Sequence, residues 1–310
     1  RHSDKDLFKG VTLSVFAKDR ICLVGRNGTG KSTLLRILGG ETDFDKGERF
    51  VQPGTRVGIL PQEPNLSGHA TVLDYATSGG GEGHRAKMFL ESLSLDPEQS
   101  TEGLSGGEQR RTALAKALAE QPDVLLLDEP TNHLDVDTIE WLENEVRRYD
   151  GSIVVISHDR RFLENVTDQV AWLDRGRLHH LNKNYRNFEA WSEKLLEDEA
   201  RELAKLDKLI AEETQWSREG ISARRTRNMG RMRRLDDLRK ERRDMIARPG
   251  QVQLDSASSG QSGRRVIEAT EISKTYGDRQ IIAPFSTKIM RGDRVGIIGP
   301  NGSGKSTLIK

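Results

Sequence analysis

The stretch Val124-Leu-Leu-Leu-Asp-Glu-Pro-Thr-Asn-His-Leu-Asp135 decides the fold class. Its opening, within residues 123–127, reads as an apolar strand buried on both faces, the pattern of a parallel sheet covered by helices. The strand closes on Asp128-Glu129, so two carboxylates project from the carboxyl edge, where ligands of open α/β sheets bind. An isolated Asp-Glu pair could equally open a helix and complement its dipole. A second buried strand, Ser152–Ile156, runs into Ser157-His158-Asp159.

Upstream, Ile21–Val24 feed Gly25-Arg-Asn-Gly-Thr-Gly-Lys-Ser-Thr33, and Leu34, Leu35, Ile37 and Leu38 follow at helical spacing. Strand, glycine-rich loop and helix in this order form a phosphate-binding loop. Asn27, Gly28, Thr29, Gly30 and Thr33 let backbone N–H groups converge on phosphate oxygens, aided by the helix N-terminus. Lys31 suits the β- and γ-phosphates, and Ser32 suits Mg²⁺. Between loop and carboxylates stands Leu104-Ser-Gly-Gly-Glu108, with Ser105 a natural N-cap for a helix whose Ala113, Leu114, Ala117 and Leu118 share a face.

The four motifs in this order resemble the ATP-binding cassette, and Asp-Glu-Pro-Thr-Asn-His-Leu-Asp resembles its ABC-F family of soluble ATPases; further on, Arg224-Arg-Thr-Arg-Asn228 resembles the interdomain arm of that family's Uup-like branch. The resemblance implies Mg²⁺-dependent ATP hydrolysis at sites shared between two cassettes. Asp128 matches the acid that orients Mg²⁺, Glu129 the general base, and His158 the switch residue at the γ-phosphate. Gln62, in Leu60-Pro-Gln-Glu-Pro64, matches the residue that contacts Mg²⁺ and water, although such a run also suits an ordinary loop. Ser105, Gly106, Gly107 and Glu108 match the signature that completes the opposite cassette's site, and Asp135 lies at the same shared interface. An aromatic residue stacks on adenine in this superfamily; His2 and Tyr276 hold that position.

Tyr276 lies 274 positions after His2 (276 − 2), and the offset belongs to an internal repeat. Gly299-Pro-Asn-Gly-Ser-Gly-Lys-Ser-Thr307 follows the first loop by the same interval (299 − 25), and Arg291–Gly299 lies over Ala17–Gly25 without a gap. A second nucleotide site is therefore expected on Asn301, Gly302, Ser303, Gly304, Lys305, Ser306 and Thr307, with Ser306 as its Mg²⁺ ligand. No second signature or Asp-Glu-Pro follows, which reads as a chain that ends inside its second cassette. The resemblance also implies more residues between loop and signature than stand around Gly79–Gly83.

From Trp191 to Arg248 there is no proline, and Leu196, Leu203 and Ile210 recur every seven residues with Leu206 between them. Met232, Leu235, Leu238 and Met245 repeat the theme beyond Gly220-Ile-Ser222. An αα-hairpin arm follows. Its first helix is acidic and its second is rich in arginine, with Arg224, Arg225, Arg227, Arg231, Arg233 and Arg234 near the tip. Arginine's planar fork suits phosphate, though acidic and basic helices could also pair with each other. The family resemblance implies contact with the ribosome near the peptidyl-tRNA; structured or branched DNA fits the same chemistry, since phosphate contacts carry no sequence identity. The expected domains are a first cassette at 1–184, the arm at 185–250, a flexible Ser/Gly/Gln linker at 251–265, and the start of a second cassette at 266–310.

Composition bounds these readings. The 310 residues leave room for about two domains. With 49 Lys+Arg against 48 Asp+Glu, polyanion binding has to come from local patches. No apolar run reaches the roughly 18 residues of a membrane span, and the fused cassettes disfavour a transporter subunit. A single cysteine, Cys22 in an apolar strand, reads as a small buried hydrophobe and suits the cytoplasm.

Overall fold

The computed structural model describes residues 7–132, 134–219, 225–244, 265–276, 279–297, 299 and 304–309. In chain order the elements are β1 (Arg20–Val24), α1 (Lys31–Gly39), β2 (Val57–Leu60), α2 (Val72–Thr77), α3 (Gly83–Ser92), α4 (Gly106–Ala119), β3 (Val124–Asp128) and α5 (Val136–Arg148). There follow β4 (Ser152–Ile156), α6 (Arg160–Val166), β5 (Gln169–Asp174), β6 (Arg177–Leu181), α7 (Phe188–Glu219), α8 (Arg225–Asp244), β7 (Arg265–Tyr276), β8 (Arg279–Met290) and α9 (Lys305–Ile309). Six strands form one sheet in the order β2-β3-β4-β1-β5-β6. This is the mixed α/β architecture expected from the buried strands.

The chain divides into two compact units: Arg1–Val57, Leu126–Asp128 and Gly151–Gln251 in one, and Gly58–Leu125, Glu129–Asp150 and Val252–Lys310 in the other. In the first, β1 lies between β4 and β5 and runs parallel to both, with Cys22 opposite Val155 and Val170. Ile21, Cys22, Leu23, Val154, Val155, Ala171 and Leu173 are all buried. Continuous apolar runs are needed because both faces of these central strands are covered. β6 adds an antiparallel edge by the turn at Arg175-Gly176.

In the same unit α7 packs along α8. Leu206 and Leu235 are buried in the seam, with Leu196, Leu203, Ile210 and Leu238 half-buried. Met232 departs from the heptad expectation: it is 52% exposed, one turn from Leu235 yet off the shared stripe. Arg242 meets Asp207 across the hairpin at 2.6 Å, so the acidic and basic helices do pair part-way along the arm. Met245, Gly220-Ile-Ser222 and the linker at 251–264 lie outside the described residues.

In the other unit, α2, α3 and α4 pack into a small helical cluster through Val72, Tyr75, Ala76, Phe89, Leu90, Leu114 and Leu118. Thr71 caps α2 by accepting from the Asp74 N–H at 3.1 Å. Phe89 meets Trp141 of α5 edge-on at 6.1 Å. β7 and β8 form a separate antiparallel ladder.

The repeat is visible in backbone geometry as well as in sequence. Asp19 Oδ2 accepts from the Phe16 N–H at 2.8 Å, and Asp293 Oδ2 accepts from the Met290 N–H at 2.8 Å. One element does not repeat among the described residues. Residues 294–297, which lie over β1, are not in a strand, and Val295 and Ile297 are 62% and 42% exposed. β1 owes its form to pairing with β4 and β5, and an apolar run without ladder partners has no such support.

Candidate active site

The phosphate loop is set by close packing at its glycines. A Cβ on Gly25 would collide with the Leu173 carbonyl of β5. Gly30, at φ 95°, lies 3.0 Å from the Phe8 ring in the same sense, and it caps α1 with no side-chain bond. The N-terminal N–H groups of α1 therefore face the loop, the arrangement that favours an anion. Asn27, Gly28 and Thr29 make the turn; Thr29 Oγ1 donates to the Arg26 carbonyl at 2.9 Å. The Lys31 ammonium folds back to donate to the Gly25 carbonyl at 2.8 Å and the Arg26 carbonyl at 3.2 Å. Ser32 and Thr33 follow in the first turn of α1, half-buried.

The carboxylates and the histidine leave adjacent strands. In the sheet β4 stands between β3 and β1. Asp128 closes β3 and is 4% exposed; Glu129 follows at 7%. Glu129 has a left-handed backbone, φ 51°, a conformation that strains a residue with a Cβ. Its carbonyl accepts from the Asn132 N–H at 3.3 Å and from Arg110 Nη2 at 3.0 Å. After β4, Ser157 Oγ accepts from the Asp159 N–H at 3.0 Å, and Asp159 caps α6 through the Phe162 N–H at 3.1 Å. These two local bonds bracket His158, which is exposed.

Ser105 and Glu108 form a reciprocal capping box on α4: the Glu108 N–H donates to Ser105 Oγ at 3.3 Å, and the Ser105 N–H donates to Glu108 Oε2 at 2.8 Å. The Ser105 hydroxyl also donates to that carboxylate at 2.7 Å, and these bonds hold the Glu108 pKa below its ordinary value. The cap leaves Gly106 and Gly107 to open the helix. Asp135 caps α5 through the Thr138 N–H at 3.0 Å. Gln62 is exposed just beyond β2, and its carbonyl accepts from Arg110 Nη1. Ser32 and Asp128 offer hard oxygen ligands suited to Mg²⁺. Among the described residues no three His, Cys, Asp or Glu form a metal-binding cluster.

The second loop repeats these features. Lys305 Nζ donates to the Gly299 carbonyl at 2.5 Å, and a Cβ on Gly304 would approach Ile281 Cγ2 at 2.7 Å. Ile281 and Ile282 stand where the first loop has Leu7 and Phe8. Thr307 lies in α9. Tyr276 and Ser306 are described by their place in β7 and α9 alone. His2, Asn301, Gly302 and Ser303 lie outside the described residues.

The family model described as ABC transporter matches residues 8–132 and 282–310, a span holding both phosphate loops, the signature and Asp128-Glu129. ATP-binding protein Uup of Caulobacter vibrioides is 49% identical over 308 residues, covering 99% of this chain and 50% of that protein. The chain belongs to the ABC-F family of ATP-binding cassette proteins. Uup of Escherichia coli is 35% identical over 350 residues (99% of this chain, 54% of that protein). The energy-dependent translational throttle protein EttA of Haemophilus influenzae is 36% identical over 358 (99% and 63%). The chain thus spans about half the length of the Uup proteins it matches. This ABC-F chain aligns with the Caulobacter protein over 308 positions and with the E. coli protein over 350.

A solved ATP-binding subunit of an ABC transporter shares the fold at TM-score 0.53, with 20% identity over 58% of this chain and 85% of that one. A dimeric bacterial ABC transporter cassette matches at 0.50, with 25% identity over 57% and 90%.

The arm of this ABC-F chain grows from an aromatic base. Trp172 packs against His179, Phe188 and Trp191 at 5.4, 5.7 and 5.9 Å between ring centroids, and Tyr185 stacks on Phe188 at 5.5 Å. Arg233 and Arg234 are exposed on α8. Arg225, Arg227 and Arg231 are placed in α8 without further description, and Arg224 and His133 lie outside the described residues. No described helix is long and apolar enough to cross a membrane.

One functional candidate escaped the motif reading: Arg110, which is 7% exposed. It lies one turn before Ala113 and Leu114 on the helix face already recognised as apolar. A charge inside an apolar stripe is the signal that could have found it, because buried arginines are rare unless partnered.

Proposed function

We propose that this chain is the first cassette, the arm and the opening of the second cassette of an ATP hydrolase that acts on ribosomes in the cytoplasm. The observation that carries the hydrolase reading is the order of strands in the sheet: β4, which leads to His158, stands between β3, which ends in Asp128, and β1, which feeds the phosphate loop. ATP phosphates would take the N–H groups of residues 27–33. Lys31 would leave the Gly25 and Arg26 carbonyls for the β- and γ-phosphates. Glu129 would accept the proton of the attacking water, a role worth roughly 10²–10⁴-fold, while Gln62 orients that water. His158 would touch the γ-phosphate. Ser32 and Asp128 would hold Mg²⁺, which supplies charge neutralisation on the phosphates when bound. Ser105–Glu108 and Asp135 would face the nucleotide of the opposite cassette, as Lys305 and its loop require. The dimeric solved cassette supports that pairing.

The domain bounds follow the same logic: a cassette at 1–184, the arm at 185–250, a linker at 251–265 and a second cassette from 266. Ribosome action is supported by the likeness to a protein named for translational throttling and by the arginines of α8. ATP would close the cassettes and set the arm, and hydrolysis would release it.

The test is salt-dependent pelleting of ribosomes with full-length protein. Changing Arg224, Arg225, Arg227, Arg231, Arg233 and Arg234 to Gln should weaken binding and flatten its salt slope by about 0.7–0.9 per lost phosphate contact. ATP binding at Lys31 should survive. Unchanged affinity and slope would reduce the arginine run to a solvated face. Lost binding to branched DNA with intact ribosome binding would move the partner to DNA.

A further inference from the structure

Arg110 reaches two elements of the hydrolytic site from the helix that carries the signature. Its Nη2 donates to the Glu129 carbonyl at 3.0 Å, and its Nη1 donates to the Gln62 carbonyl. The side chain is 7% exposed, and its bond to the Glu129 carbonyl is buried away from competing water. The planar guanidinium fixes the angle between them, which an ammonium cannot do. Glu129 needs such support because its left-handed φ of 51° is strained, and strain persists only where the surroundings over-determine the backbone. The Asn132 N–H supplies one restraint on that carbonyl and Arg110 supplies another.

We propose that Arg110 is a positioning residue. It holds the Glu129 backbone in the conformation that aims the carboxylate at the attacking water, and it ties that backbone to Gln62 and to α4. Arg110 stands five residues after Ser105, little more than one helical turn. A displacement of the signature end of α4 therefore moves the same guanidinium that holds the base. Nucleotide capture by the opposite cassette is in this way felt at Glu129. The inference rests on the hydrolase reading above and adds a residue outside the recognised motifs.

The test uses full-length protein in which the second cassette's general base has been replaced, so that turnover reports the first site. Arg110→Met keeps the volume and removes both donors; Arg110→Lys keeps the charge and loses the fork. Both should lower kcat, by about 10- to 100-fold for the Met variant, since small misplacements of catalytic groups cost on that order. ATP affinity, measured with a fluorescent analogue, should stay within about twofold, because Arg110 lies outside the phosphate loop. The Lys variant should fall between Met and wild type. Unchanged kcat in both variants, with Glu129→Gln inactive, overturns the proposal and leaves the hydrolase reading intact. Loss of nucleotide binding in both variants makes Arg110 a residue of the fold and also overturns it. Wild-type protein that does not hydrolyse ATP, or Glu129→Gln that hydrolyses normally, removes the underlying reading itself.

Discussion

Arg175 and Glu199 are ion-paired at 2.5 Å, joining the β5–β6 turn to α7, with Asp174 on the other side of the guanidinium at 2.7 Å. Both carboxylates lift the arginine above its ordinary pKa despite the opposing effect of burial. The pair and the Trp172 aromatic cluster root the arm in its cassette from two sides. Glu199→Gln should therefore cost about 1 kcal/mol of stability, near the lower range for a charged hydrogen bond. It should also speed proteolysis within α7. Urea unfolding and limited trypsin digestion measure the two effects; no change in either means that the aromatic cluster alone anchors the arm.

His179 makes that anchor sensitive to acid. Burial holds its imidazole below the ordinary 6.5, outweighing the pull of Glu199 and Asp174, while Arg175 and Arg177 push the same way as burial. A base with a depressed folded pKa binds fewer protons than the unfolded chain. Stability is then full above about 6.5 and declines as pH falls from there through the lower folded value. Replacing His179 by Phe keeps a ring against Trp172 and removes the titration. The difference in Tm between wild type and variant should grow between pH 7 and pH 5; parallel Tm curves would exclude His179 as the cause.

Lys18 has a left-handed backbone, φ 68°, where its repeat counterpart 274 positions later (292 − 18) is Gly292 at φ 97°. A left-handed residue with a Cβ costs about 1–2 kcal/mol, and glycine's extra chain entropy returns about 0.5–1. Lys18→Gly is expected to stabilise the first cassette by roughly 0.5 kcal/mol. Chemical denaturation would read this as a small rise in midpoint, and a fall of the same size would contradict the strain argument.

Lys31→Ala and Glu129→Gln should separate binding from turnover. Removing the ammonium takes positive charge from the phosphates and should weaken ATP binding at least about tenfold. The amide at 129 keeps its shape but cannot take a proton, so affinity should hold while turnover at the first site stops. Equal loss of affinity in both variants would show that Glu129 is not the base.

The strands and the phosphate loop were legible because their signals are local. Ile21–Val24 and Ser152–Ile156 are apolar along their whole length, and a glycine-rich turn leading from a strand into Lys31 suits little besides a phosphate. The arm was legible from its seven-residue spacing, yet spacing alone did not show which positions meet. Leu206 and Leu235 enter the seam while Met232 stays outside. Non-local pairing was hidden altogether. Val295 and Ile297 repeat the composition of β1, but composition does not supply the neighbours that make a strand. Arg110 was overlooked for a related reason: its partners are backbone carbonyls of Gln62 and Glu129, and carbonyls leave no mark on a sequence.

Cys22 is fully buried in β1, its S–H lies 3.4 Å from the Gln169 carbonyl, and burial pushes its pKa up to about 12. At neutral pH the thiolate that reacts with maleimides is therefore almost absent. These 310 residues behave as a chain silent toward sulfur chemistry, without any engineered removal of cysteine. A thiol introduced at Leu209, which is 42% exposed on α7, would carry a dye or a spin label free of background from the native sulfur. A response of α7 to added nucleotide, as proposed above, then becomes something that can be watched.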